Sequence, residues 1–166
     1  MKISHELKIV VHPKRTALEA LGIGEQKTAL KKFADTTLEP RKKEKLLELM
    51  GKQVLSREDE TEYEKTVALA SLERSLLACE IYKELKELDF YPAGLSETIS
   101  YLDEAKDVPV SSIIVLGMRL LDDECKEIRL VIKENSFELE TMYPRKPIKQ
   151  HFQIVVVKEE KSARKK

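Results

Sequence analysis

The chain has 166 residues, 42% of them hydrophobic and 36% charged, with 5 Gly, 6 Pro and no Trp, which excludes collagen-like and disordered classes. Its 30 Lys and Arg balance 30 Asp and Glu, so no long-range field draws the whole molecule to nucleic acid or an anionic membrane, and any such attraction is local. No run of about 18 apolar residues occurs, which excludes a membrane-spanning helix, and the start MKISHELKIVV, charged at Lys2, Glu6 and Lys8, lacks the apolar core of a secretory signal.

Residues 6–12 (ELKIVVH) are a short β-branched run stopped by Pro13 and predict a first strand. From residue 14 to 21 the pattern turns helical and stops at Gly22. A second short helix is expected over 25–33, and a third over 40–50, with Pro40 in its first turn and Gly51 beyond its end. Ser56, followed by Glu58, Asp59, Glu60 and Glu62, marks the start of a long helix over 57–88, because a capping hydroxyl and an acidic first turn complement the positive end of the helix dipole. Tyr63, Val67, Ala70, Leu77, Ile81 and Leu88 recur at spacings of three, four or seven, with Arg74 in a slot of the same stripe. Leu69, Leu72, Leu76 and Cys79 form a second stripe beside it. At about 1.5 Å per residue such a helix reaches about 50 Å, longer than a domain of this size is wide, so it either breaks or projects.

Ser96 predicts the cap of a further helix over 96–106, with Ile99 and Leu102 on one face. The chain then becomes β-rich: 110–121, apolar on both faces and containing Gly117, then 127–133, 137–143 and 152–158, with Asn135 and Ser136 marking a hairpin. The expected fold class is α+β. A helical N-terminal two-thirds with one long helix precedes an antiparallel β-meander of about four strands, which the N-terminal strand is placed to join, with the helices on one face. Residues 1–158 read as a single domain, helical over about 14–106 and sheet over about 110–158, and 159–166 as a flexible basic tail.

No short catalytic motif is visible. His5, His12 and His151 all fall near strand ends, which removes the metal-binding patterns that need histidines on a helix. Pairing of the first and last strands would bring His5 or His12 toward His151, but surface histidines are the plainer reading, and neither metal nor cofactor is expected. Gly22 and Gly24 lack the third glycine of a dinucleotide loop. Cys79 and Cys125 lack CxxC spacing and read as reduced, which fits a cytoplasmic setting. The densest basic stretch is residues 27–45, where Lys27, Lys31, Lys32, Arg41, Lys42, Lys43 and Lys45 face only Asp35, Glu39 and Glu44.

Three functions follow as expectations. The leading one is a non-enzymatic interaction or assembly protein, in which the two-striped helix over 57–88 meets another protein or a second copy of the chain through Tyr63, Val67, Ala70, Arg74, Leu77, Ile81 and Leu88. The alternative is a nucleic-acid-associated protein using residues 27–45 and the tail. A second alternative is an enzyme without a linear motif, its site drawn from His12, Arg119, Arg129 and His151.

Overall fold

The computed structural model describes residues 1–11, 62–105, 112–118, 120–121, 124, 126–133 and 136–160. Among these the chain is mainly β, an eight-stranded sheet with two ten-residue helices. In chain order the elements are β1 (Lys2–Val11), β2 (Tyr63–Ser71), α1 (Ala78–Glu87), β3 (Phe90–Pro92), α2 (Leu95–Glu104), β4 (Ser112–Ile114), β5 (Leu120–Leu121), β6 (Glu127–Lys133), β7 (Ser136–Thr141) and β8 (Gln153–Lys158). The sheet runs β1, β2, β8, β4, β6, with β3 also against β8 and both β5 and β7 against β6. All pairings are antiparallel except that of β4 with β8, which is parallel at Ile113 and Gln153. No helix among the described residues is long and apolar enough to cross a membrane.

β8 lies inside the sheet because Ile154, Val155, Val156 and Val157 leave it no polar face, and a strand apolar on both sides is stable only when both sides are covered. Val155 and Val157, with Val67 and Leu69 of β2, pack against Leu95, Ile99, Tyr101 and Leu102 of α2. Ile154 and Val156, with Ala68 and Ala70, pack against Ile81 and Leu85 of α1. Each helix therefore closes one face of the sheet. Both begin without a capping hydroxyl, at Leu77 and Gly94, and both instead use a glutamate three residues on. Glu80 accepts the Leu77 N–H at 2.8 Å and Glu97 accepts the Gly94 N–H at 3.0 Å. Asp89, at φ 60, ends α1 in the left-handed conformation that a short polar side chain tolerates.

This architecture corrects the expected α+β fold with a helical N-terminal two-thirds. The continuous helix expected over 57–88 is interrupted: residues 63–71 are strand β2, and among the described residues of that span only Ala78–Glu87 is helical. A spacing of four, as between Tyr63 and Val67, suits one face of a strand as well as one turn of a helix, so it does not discriminate between them. Neither stripe keeps to one face, since Val67 and Leu69 enter the α2-side layer and Ala70 and Leu72 the α1-side layer, and the unbroken buried run Val67, Ala68, Leu69, Ala70 is the mark of an inner strand. The meander is also corrected. β8 returns between β2 and β4, the N-terminal strand pairs with β2, and the two helices lie on opposite faces. The expected helices over 14–21, 25–33 and 40–50 lie outside the described residues, as do residues 161–166 of the expected tail.

Two local devices hold the layers in register. In β1 one extra residue is accommodated between Ser4, paired with Leu69, and Leu7, paired with Val67, and His5 adopts φ 51 there. This bulge reverses which alternate residues face which layer: Met1 and Ile3 join the α1 side, whereas Ile9 and Val11 join the α2 side. The fully buried Tyr101 of α2 donates its hydroxyl to the His5 carbonyl at 2.8 Å, and burial pushes its phenol up to about 12. At the other device, Gly117 lies so close to β3's end that a Cβ there would sit 2.3 Å from the Ala93 carbonyl oxygen. The Gly117 N–H donates to that same oxygen at 3.0 Å.

Candidate functional site

The residues expected to form one helical interface are dispersed. Tyr63 is half-buried against the α2-side layer, Val67 is inside that layer, and Ala70 and Ile81 are inside the opposite one. Leu77 is the half-buried residue before α1, and Leu88, just after it, is 46% exposed. Arg74 projects into solvent, its Nη2 3.4 Å from Glu84 Oε1. These seven share no surface. Lys27, Lys31, Lys32, Arg41, Lys42, Lys43 and Lys45 lie outside the described residues.

Of the residues considered for catalysis, only Arg129 and His151 are among the described residues. His12 and Arg119 lie outside the described residues, and β2 separates β1 from β8, so the strand pairing that would bring His5 toward His151 is absent. Arg129 is buried in β6, where its guanidinium donates to the Met118 carbonyl and, at 2.5 Å, to Glu127 Oε1, while its Nε has no hydrogen-bond partner among the described residues. It locks the segment between β4 and β5 onto β6. Among the described residues no group of three His, Cys, Asp or Glu is placed to hold a metal.

The most distinctive surface is one that sequence reading passed over, the connection from β7 to β8 over residues 142–152 (MYPRKPIKQHF). Its backbone is anchored by apolar residues. Ile148 is buried and forms an isolated antiparallel bridge with Leu76, exchanging hydrogen bonds of 2.7 and 3.1 Å. Phe152 is buried in the α1-side layer and carries the His151 ring at a centroid distance of 4.2 Å. Turns closed by the Lys146 N–H on the Tyr143 carbonyl (3.0 Å) and by the Phe152 N–H on the Lys149 carbonyl (3.1 Å) shape the segment between these anchors. Met142 packs against the α1-side layer, whereas Arg145, Lys146, Lys149 and His151 are exposed and Tyr143 is 53% exposed.

None of these three permanent cations makes an ion pair among the described residues, whereas Lys8, Lys133 and Lys158 are each paired with a glutamate. Residues 141–158 contain no Asp or Glu. Beside the cations runs a shallow open groove, walled by Ile114, Met142, Pro147, Ile148 and Phe152 and rimmed by Tyr143, Lys146, Lys149 and Glu140. The opposite end of β8 has the other sign: Glu97, Glu159 and Glu160 surround Tyr91, whose phenol is raised by burial and then by these three carboxylates. A signal for the basic segment exists in the sequence as an acid-free stretch holding Arg145, Lys146 and Lys149, interrupted by Pro144 and Pro147. No protein-family model matches the chain, and neither a curated protein nor a solved structure matches it.

Proposed function

We propose that the chain is a non-catalytic nucleic-acid-binding protein that meets the phosphate backbone with the segment over residues 142–152. The observation that carries this reading is the set Arg145, Lys146 and Lys149, exposed on a backbone pinned at Ile148 and Phe152 and without a carboxylate partner among the described residues. Cations already paired within a protein gain little from a phosphate, whereas unpaired ones release a condensed counterion for each phosphate they neutralise. Three contacts give a log–log salt slope of about −2.7 on duplex or about −2.1 on a single strand, and affinities in the nonspecific range of about 10⁻⁴ to 10⁻⁶ M. A cytoplasmic setting belongs to the same proposal.

The test is fluorescence anisotropy with a short labelled oligonucleotide while salt is raised from about 50 to about 200 mM. Saturable binding that weakens with that slope, and is abolished by the triple variant R145E/K146E/K149E, is the expected result. Equal binding by the variant and the parent protein refutes the assignment.

Self-association, the expected leading function, retains a second reading on different residues. Basic and acidic clusters lie at opposite ends of β8, a separation of about 20 Å for a six-residue strand. Opposite poles favour head-to-tail contacts between copies, which build open chains rather than closed dimers. Sedimentation at low and high salt tests this: growth in size at low salt that the triple variant removes supports it, and a constant monomer excludes it.

A further inference from the structure

We infer that the nucleic acid held by this segment is a single strand, with Tyr143 as the platform on which a base stacks. This rests on the phosphate-binding reading above and adds to it the chemistry of the bases. A duplex offers a protein its phosphates and the edges of its bases, and reading those edges takes a helix or a two-stranded ribbon lying in the major groove. The segment is neither. It is a short proline-broken loop, too irregular to fill a groove, with an aromatic ring set beside its cations.

Single strands expose the flat faces of their bases, and proteins bind them by combining a cationic track with aromatic rings. Both parts are present here. Tyr143 is 53% exposed, its ring has no hydrogen-bond or ring partner among the described residues, and it immediately precedes Pro144 and the Arg145–Lys146 pair. The groove beside it is walled by Met142, Pro147, Ile148 and Phe152. The groove is a shallow one that does not enclose a base, so the contact open to a base is the exposed face of Tyr143 at its rim. Ile148 and Phe152 belong to the α1-side core and fix the backbone, which holds the Tyr143 ring and the cations in a constant relation to one another.

The experiment compares labelled oligothymidine with a duplex of the same length, for the parent protein and for Tyr143→Ala, Tyr143→Phe and the triple charge-reversal variant. The expected result is single-strand binding at least about tenfold tighter than duplex binding, and a loss of about tenfold or more in Tyr143→Ala that Tyr143→Phe restores. The salt slope is unchanged in Tyr143→Ala, since no phosphate contact is removed, but collapses in the charge-reversal variant. Duplex binding equal to or tighter than single-strand binding, or an oligothymidine affinity unmoved in Tyr143→Ala, overturns the single-strand inference while leaving phosphate binding intact. Absence of binding to either form overturns both. Matching urea midpoints for all four proteins show that the variants are folded, as expected for exposed side chains.

Discussion

Replacing Gly117 by alanine tests the packing of the segment between β4 and β5 onto β3. The added Cβ would meet the Ala93 carbonyl oxygen at 2.3 Å, its carbon at 2.4 Å and the Gly94 nitrogen at 2.6 Å. All three are backbone atoms, and each contact is about 1 Å closer than ordinary van der Waals separation. Relief requires the two backbones to part, which strains the Gly117 N–H bond to Ala93 and the Ala93 N–H bond to Val155, at 3.0 and 2.9 Å. Overpacking costs about 1–3 kcal/mol, and the two weakened hydrogen bonds up to about 1 kcal/mol each. Loss of glycine's freedom in the unfolded chain returns about 0.4–1 kcal/mol. The net expectation is a destabilisation of about 3 kcal/mol, which at a urea dependence of about 2 kcal/mol per molar lowers the midpoint by about 1.5 M. Gly94→Ala is the control, because its Cβ meets only Glu97 Oε1 at 3.7 Å, and it should cost well under about 1 kcal/mol. A Gly117→Ala midpoint equal to the parent's, or equal to that of Gly94→Ala, would show that the close approach is not a constraint on this fold.

Tyr101→Phe removes the donor to the His5 carbonyl and should cost about 1–2 kcal/mol in urea unfolding. It should also change alkaline behaviour. The folded phenol is raised to about 12 from an ordinary 10.0, so its contribution is complete below pH 10 and is lost as pH rises toward 12; the parent's stability should fall in that window more steeply than the variant's. Parallel pH profiles would refute the link. At the Arg129–Glu127 ion pair, which is buried on the arginine side, Glu127→Ala leaves the guanidinium with only the Met118 carbonyl among the described residues and should cost about 2–3 kcal/mol, whereas Arg129→Met, which also removes the unpartnered Nε, should fall within about 1 kcal/mol of the parent. Thermal denaturation of the two variants side by side decides this, and the reverse order would mean that the charge itself holds the β4–β5 segment.

Local patterns were legible wherever one period fitted and the other did not. The expected strands over 127–133 and 152–158 fall on β6 and β8, because Val, Ile and charged residues alternate or run together over lengths too short for a helix. Lys133 pairs with Ser136 where Asn135 and Ser136 signalled a hairpin, although residues 134–135 themselves lie outside the described set. The segment over 62–71 is ambiguous in sequence because Tyr63, Val67 and Ala70 satisfy a helical template while Thr66 and Val67 favour a strand, and tertiary burial on both sides decides the outcome. That β8 returns beside β2, 82 positions earlier at the Gln153–Ser71 pair, is a long-range choice that no local period encodes. The basic segment escaped notice for a related reason: its significance lies in Ile148 and Phe152 holding it still, which composition does not reveal.

The added residue at His5 means that a single edge strand contributes to both hydrophobic layers, with Met1 and Ile3 in one and Ile9 and Val11 in the other. Deleting one residue between Ser4 and Leu7 would therefore turn one end of the strand inside out, whichever end stayed in place. Because the same ten residues close both compartments, peeling β1 away opens the two together, and the two sides of the sheet are tied into one cooperative unit despite having no core residues in common.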